Sequence, residues 1–356
     1  MEKMMNSKLT ITIEKDYSRK APGFRDQISR LKNQADFTLQ FLEVPGKEMT
    51  GVVSAKELKD ADIYILMGKR RINKSSLEGL EKLKWIGRFG AGFDNVDINA
   101  CNQKEILLSN SPYGIRKPVA ELVLGYMFAL ATRLPFFDRY IREHGFSGKI
   151  QYVTMCVSGL TLGVIGCGGI GQTLVKLAAP LEMKILAYDP YVDKALMRAK
   201  GIELCDLETL LRAADFCSVH VPLTAETRGM LQEAHFRMMK PSAYFINTSR
   251  GEIYSDAVLA RALTEGWIAG AAVDVFEDEP DVGSNPLLKC ERAILTPHIA
   301  GAANNLDSIR MVMETLIDSI LKIAAGELPE NIINPEASSR PVPPEKLTPS
   351  FNPRRK

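Results

Sequence analysis

Polar and apolar residues alternate over 8–13 (KLTITI), and short runs of strand character recur at 37–42, 62–67 and 84–88. Between them, at 24–34, 54–60 and 75–83, the pattern turns helical, with apolar positions returning every three to four residues. That alternation predicts a first α/β unit with a mostly parallel sheet. A second series starts near 160, with strands expected at 161–165, 183–188, 215–221, 243–247, 270–275 and 293–296. Two such series in 356 residues predict two α/β domains, each a doubly wound parallel sheet, with a cleft between them.

Three stretches stand outside this rhythm. From Val119 to Ala131, within "KPVAELVLGYMFALATRLP" (117–135), nearly every residue is apolar or small, and Pro118 suits a first helical turn. A helix apolar on all sides is buried on all sides. A second subunit is the expected cover, the alternative being a central helix packed within one chain. A last helix is expected over about 306–325, before Gly326 and Pro329. The remainder, 336–356, carries five prolines in its last twenty residues and almost no apolar periodicity, and is expected to be a disordered tail.

Composition adds exclusions. The net charge is only +2, and the tail holds Arg340, Lys346, Arg354, Arg355 and Lys356 against Glu345, so the body is near neutral. No basic face for nucleic acid is implied. Six cysteines occur without a C-x-x-C pair or a histidine at zinc spacing, which predicts no metal site and small buried thiols in a reducing compartment. No N-terminal h-region and no apolar run of 18 or more residues is present, so a cytoplasmic protein is expected, away from membranes.

Candidate chemistry begins at 164–190, "VIGCGGIGQTLVKLAAPLEMKILAYDP". A strand pattern meets Gly166, Gly168 and Gly171, spaced G-x-G-x-x-G, and a helix pattern follows. That context aims free backbone N–H groups and a helix dipole at a pyrophosphate. Gly166 permits the tight turn, Gly168 the approach of phosphates, and Gly171 close packing of helix on strand. Asp189 ends the next strand 18 residues after Gly171. There a carboxylate would accept hydrogen bonds from a ribose and repel a 2′-phosphate, so NAD is expected over NADP.

In a doubly wound sheet, ligands sit beyond the carboxyl ends of the strands. Those ends carry Asp189, His220 in "SVHVPLTAET", Arg250 in "INTSRGE", Asp274 and Glu279 in "AAVDVFEDEP", and His298 in "ILTPHIAG". An arginine fork can hold a small carboxylate through two parallel bonds. A histidine beside a carboxylate suits proton transfer near neutral pH. Of the four histidines, His144 and His235 lie in polar or helical surroundings, and His220 reads equally as a packing residue. His298 is the best acid/base candidate.

The ordered series "GCGGIG", "YDP", "HVPLTAET", "NTSRGE", "DVFEDEP" and "TPHIAG" resembles the D-isomer-specific 2-hydroxyacid dehydrogenase family. "GRFGAGFDNVDINAC" and "NSPYGIRKPVAE" extend the resemblance to roughly residues 62–334. It implies a Rossmann NAD-binding domain (111–303) inserted into a discontinuous flavodoxin-like substrate domain (1–110 and 304–335), with hinges near 110 and 303. It also implies roles. Arg250 would bind the substrate carboxylate and carbonyl oxygen, Glu279 would hold and charge His298, and His298 would exchange the proton. Gly90, Ala91 and Gly92 would hold the carboxylate through backbone N–H groups. Asp274 would face the nicotinamide carboxamide, with Thr248 and Ser249 along the cofactor. Gly166, Gly168, Gly169, Ile170, Gly171, Asp189, His220, Pro222, Thr227, Arg250, His298 and Gly301 complete the expected cofactor contacts, and the long apolar helix would be a dimer interface.

Formate dehydrogenases of this superfamily carry Gln where Glu279 stands, so Glu279 implies interconversion of hydroxy and keto acids. "GRFGAGFDNVD" and "NSPYG" most resemble phosphoglycerate dehydrogenases, but those tend to place an arginine after the strand "IYILM", where this chain has Gly68. Lys69, Arg70 and Arg71 follow, either as substrate contacts or as a solvated turn. Phosphoglycerate, glycerate or hydroxypyruvate, and glyoxylate chemistry all stay open. So does a second class, a nucleotide-sensing corepressor-like interaction protein, since such proteins share the fold and motifs.

Overall fold

The computed structural model describes residues 8–15, 22–34, 37–43, 51–146, 153–301 and 305–348. The chain divides into two units, Met1–Ile115 with Gly301–Lys356, and Arg116–Ala300. Crossings thus fall at 115/116 and 300/301, against expected hinges near 110 and 303; residues 302–304 lie outside the described residues.

In the first unit, β1 (Leu9–Lys15), β2 (Phe37–Glu43), β3 (Ile63–Leu66), β4 (Trp85–Arg88) and β5 (Leu107–Asn110) pair in the order β2-β1-β3-β4-β5. Every pair is parallel, and the order is the flavodoxin-like one. β3 is buried at every position and so reads as an unbroken apolar run. β5 escaped the hydrophobic pattern because it ends on Ser109 and Asn110. Both are buried, and Ser109 accepts the Trp85 indole N–H at 2.9 Å. The helix expected at 75–83 is one 3-10 turn, Lys74–Leu77, followed by Gly79 at φ 69°.

Two helices of this unit, Pro22–Gln34 and Leu306–Ala324, pack on each other. The second buries Ile309, Val312, Met313, Leu316, Ile317, Ile320 and Ile323, the spacing of one apolar face. The expected disorder from 336 is corrected through Thr348. The Ile332 N–H donates to the Lys346 carbonyl at 2.7 Å, and the Thr348 N–H donates to the Ile332 carbonyl at 2.8 Å. Ile332 in turn bridges Ser109 in β5. This docking uses backbone groups, a Lys346–Glu330 ion pair at 2.6 Å and one buried threonine, none of which leaves an apolar period. The rest of the tail, 349–356, lies outside the described residues.

In the second unit, the strands are β6 (Thr161–Ile165), β7 (Lys184–Tyr188), β8 (Glu203–Leu204), β9 (Phe216–Val219), β10 (Tyr244–Asn247), β11 (Gly270–Val273) and β12 (Ala293–Leu295). They form a parallel sheet in the order β12-β11-β10-β9-β6-β7-β8. This is the Rossmann order with one added strand, and it reverses direction between β6 and β9.

The long apolar helix packs one face within its unit. Arg116–Thr132 buries Val119, Ala120, Val123, Tyr126, Met127, Leu130 and Ala131 against the Gly169–Ala178 helix, β10 and β11. Its opposite face is open, with Phe128 44% exposed. The chain bends at Arg133, φ 53°, into the Leu134–His144 helix, which has no buried residue and exposes Leu134 and Ile141. Among the described residues, no single helix is long and apolar enough to cross a membrane. All six cysteines are unpaired.

Candidate active site

The second unit builds its ligand edge where β6, β7 and β9–β12 end. Gly166 follows β6 at φ 91°, a conformation that L side chains rarely adopt, and a Cβ there would lie 2.8 Å from the His220 carbonyl carbon. Gly168 is the N-cap of the Gly169–Ala178 helix, and no side chain caps it. The N–H groups of Gly169, Ile170 and Gly171 in the first turn therefore lack helical acceptors and suit an anion. The space a Gly168 side chain would occupy is open.

Asp189 stands one residue beyond β7. Its Oδ2 accepts the Cys167 N–H at 2.8 Å and its Oδ1 the Tyr191 N–H at 2.9 Å, which ties the carboxylate to the glycine loop. Beyond β10, the Thr248 hydroxyl is buried without a partner. An uncapped helix start, an open cradle, a fixed carboxylate and an orphaned hydroxyl fit a dinucleotide. His220, after β9, bonds through Nε2 to the Ser218 hydroxyl at 2.9 Å. Burial pushes its pKa down to about 4, so its imidazole is neutral at pH 7. The next loop ties itself down, with the Thr227 hydroxyl donating to the Pro222 carbonyl at 2.6 Å.

Arg250 sits on a turn held by Asn247, the buried last residue of β10. Asn247 Oδ1 accepts the N–H and hydroxyl of Ser249 at 2.9 and 2.8 Å, and its Nδ2 donates to the Arg250 carbonyl at 2.7 Å. The Arg250 guanidinium donates to the Ser249 carbonyl at 2.7 Å.

His298 lies beyond β12 at φ 55°. Its Nδ1 faces Glu279 Oε2 at 2.9 Å, while Glu279 Oε1 accepts the Phe276 N–H at 2.9 Å. A carboxylate at Nδ1 makes that nitrogen the donor and leaves Nε2 to exchange a proton with a ligand. The pair is partly buried, with side-chain exposures of 30% for His298 and 16% for Glu279. That exposure admits a ligand while limiting screening by water.

Asp274 has an occupation that the sequence did not suggest. It is fully buried, and its Oδ1 accepts the Thr296 hydroxyl at 2.6 Å and the Ile299 N–H at 2.8 Å. Its Oδ2 accepts the Ala300 N–H at 2.9 Å, and its own carbonyl accepts the His298 N–H at 2.8 Å. Asp274 thus pins the loop that carries His298 and leads to Gly301. Tyr126, from the long helix, bonds the Thr296 hydroxyl behind it. Asp256 supports the Glu279 loop, its Oδ2 accepting Asn285 Nδ2 at 2.6 Å and the Glu277 N–H at 3.1 Å. Burial drives the Asp256 pKa up to about 6 despite those donors. Tyr126 and Asp256 carried no sequence signal, because their roles rest on contacts across 170 positions for Tyr126 and 21 and 29 for Asp256. Asn247 and Thr296 open the motifs "NTSRGE" and "TPHIAG", without a role having been assigned to them.

In the first unit, the loop after β4 presents Gly90, Ala91 and Gly92. Its carbonyls are engaged from behind. Phe89 O accepts Arg88 Nη1 at 2.6 Å, Gly90 O the Ser111 N–H at 2.9 Å, and Ala91 O Asn110 Nδ2 at 2.7 Å. Gly90 makes the turn at φ 103°. After β3, the 5%-exposed Arg70 turns inward, with Nη2 on Glu57 Oε2 at 2.8 Å and Nη1 3.7 Å from Glu14 Oε1. Glu14 also accepts the Tyr64 hydroxyl at 2.6 Å and the N–H groups of Met67 and Gly68, each at 2.9 Å.

Residues 124–300 match the family model of the D-isomer specific 2-hydroxyacid dehydrogenase NAD binding domain. A D-3-phosphoglycerate dehydrogenase from Methanocaldococcus jannaschii is 37% identical over 82% of this chain, which spans only 54% of that relative's length. A glyoxylate reductase from Korarchaeum cryptofilum is 34% identical over 87% of this chain and 92% of its own. The crystal structure of a D-lactate dehydrogenase from Aquifex aeolicus, complexed with NAD and lactic acid, superposes with a TM-score of 0.77. It is 28% identical and covers 89% of this chain and 96% of its own. With a dinucleotide cradle on one Rossmann sheet and relatives matched over most of their length, the chain belongs to the D-isomer specific 2-hydroxyacid dehydrogenases, a family of NAD-dependent oxidoreductases.

Proposed function

We propose that this protein reduces a small 2-keto acid to the D-2-hydroxy acid, and catalyses the reverse. The observation that carries the proposal is the His298–Glu279 pair at 2.9 Å on the ligand edge of the Rossmann sheet. Bound NADH would supply the hydride, and the chain's own residues do the rest. His298 Nε2 donates a proton to the carbonyl oxygen as negative charge develops there. Glu279 orients the ring through Nδ1. Arg250 binds the substrate carboxylate and carbonyl oxygen, an interaction that strengthens as that oxygen gains charge. In the first unit, the N–H groups of Gly90, Ala91 and Gly92 are assigned to the carboxylate. Asp274 acts by positioning His298.

Among the hydroxy acids, we favour glyoxylate or hydroxypyruvate reduction over phosphoglycerate oxidation. The support is Arg70, whose guanidinium is already neutralised by Glu57 and Glu14. An NADH-oxidation screen against glyoxylate, hydroxypyruvate, pyruvate and 3-phosphohydroxypyruvate tests the reading. Glyoxylate or hydroxypyruvate is expected to give the highest kcat/KM. A higher value for the phosphorylated acid would reverse the substrate assignment, and NADH binding without any turnover would favour an interaction protein.

Titration of the protein with NADH and with NADPH tests Asp189. Bringing like charges together costs several kcal/mol, so NADH is expected to bind about 10²-fold more tightly than NADPH. Asp189→Ala is expected to narrow that gap. Equal affinities in the unmodified protein would end the ribose assignment.

The open apolar face of the Arg116–Thr132 and Leu134–His144 helices, with Phe128, Leu134 and Ile141 exposed, is assigned to a second copy of the chain. Light scattering at micromolar concentration is expected to give twice the 39.4 kDa chain mass. A monomer would mean the face stays open or takes another partner. The six unpaired cysteines support a reducing, cytoplasmic setting.

A further inference from the structure

One chain of hydrogen bonds in the first unit runs from the Gly90–Gly92 loop to the end of the described chain. Asn110, 3% exposed, ends β5 and donates from Nδ2 to the Ala91 carbonyl at 2.7 Å. Its Oδ1 accepts the Thr348 hydroxyl at 2.8 Å, and Thr348 is 1% exposed. An amide side chain fits a site either way round until its neighbours decide. Turned over, Asn110 would set its oxygen against the Ala91 carbonyl. The acceptor-only Ala91 carbonyl selects the productive orientation, and the Thr348 hydroxyl, donating to Oδ1, holds the side chain in place. Thr348 is fixed in turn by its N–H on the Ile332 carbonyl at 2.8 Å, and Ile332 takes the Lys346 carbonyl at 2.7 Å. Lys346 is tied to Glu330 at 2.6 Å.

We propose that the C-terminal segment 344–348 acts through Thr348 and Asn110 to set the Gly90–Gly92 loop, and so tunes affinity for the carboxylate of a 2-keto acid. Thr348 is a positioning residue that touches no substrate. The physical reason lies in the N–H groups. They converge on an anion only if the carbonyls between them are turned away, and three consecutive carbonyls are held back by Arg88, Ser111 and Asn110. Arg88 lies just before the loop, and Ser111 and Asn110 lie side by side at the end of β5. Of these three, Asn110 carries a side-chain bond to Thr348, 238 positions on. The proposal rests on the assignment of that loop to the substrate carboxylate.

The test compares Thr348→Val, which keeps the shape and removes the hydroxyl, with Thr348→Ser, which keeps it. Loss of one buried hydrogen bond is expected to raise KM for the best keto acid about 5- to 30-fold in Thr348→Val. NADH affinity and kcat should stay within about threefold, and Thr348→Ser should restore KM. Amide exchange at Gly90–Gly92 should quicken in Thr348→Val, with the melting temperature measured alongside. Should Thr348→Val not fold, Lys346→Met loosens only the rim of the segment and is expected to show the same pattern at about 2- to 3-fold. An unchanged KM with unchanged loop exchange overturns the proposal. So does an equal loss in Thr348→Ser, which marks a purely structural site. Calorimetry with oxamate on the NADH-loaded protein separates this from the redox assignment. Oxamate binding that weakens in Thr348→Val while no keto acid turns over supports the positioning role and removes the reaction. Absence of oxamate binding in the unmodified protein overturns both.

Discussion

His298→Ala is expected to lower kcat for keto-acid reduction about 10²- to 10⁴-fold, the range that a positioned general acid supplies. Hydride arrival at the carbonyl carbon leaves charge on oxygen, and without Nε2 only water remains to protonate it. Truncating the ring removes an interaction made mainly in the transition state, so kcat and kcat/KM should fall together. NADH affinity, measured by fluorescence, should hold, because the glycine loop and Asp189 lie at the ends of β6 and β7. Full activity in this variant would remove the mechanism. Glu279→Gln refines the test. Glutamine keeps the shape but removes the carboxylate that holds the Nδ1–H and orients the ring. kcat should fall with part of the activity kept, while NADH affinity holds. An unchanged kcat would leave the 2.9 Å contact as packing alone.

Arg250→Ala is expected to lower kcat/KM about 10²- to 10³-fold, since truncating one partner of a buried, hydrogen-bonded charge pair costs about 2–5 kcal/mol. Unlike His298, Arg250 would bind the carboxylate in the ground state and the oxygen more strongly in the transition state. KM should therefore rise and kcat should fall. Arg250→Lys keeps the charge but not the planar fork and should recover only part of the loss. A change in KM alone would confine Arg250 to holding the carboxylate.

The glycine loop and the strand-end residues were legible because each rests on local grammar. A strand that stops, a glycine with φ near +90° and a helix start must follow one another in sequence, and they do from Val164 to Gly171. Asp189, Arg250 and His298 were legible for a related reason: parallel strands end on one edge, so residues just past apolar runs share it. The apolar helix was half legible. Its composition is nearly uniform, so no periodicity told its Val119–Val123–Met127 face from the face that exposes Phe128. Only packing against the Gly169–Ala178 helix separates them.

Alternating apolar runs and helix periods were enough to determine two parallel-sheet α/β units and a dinucleotide turn, because those features arise from interactions within a few residues. Tertiary structure decided what required distant partners. It turned Arg70 inward onto Glu14 and Glu57, because a guanidinium left charged in a buried place requires carboxylates. Asp274 became the anchor of the His298 loop once the ends of β11 and β12 came side by side. A proline-rich end that lacks any apolar period is ordered through Thr348, because backbone pairing and one buried hydroxyl hold it to β5 through Ile332 and Asn110.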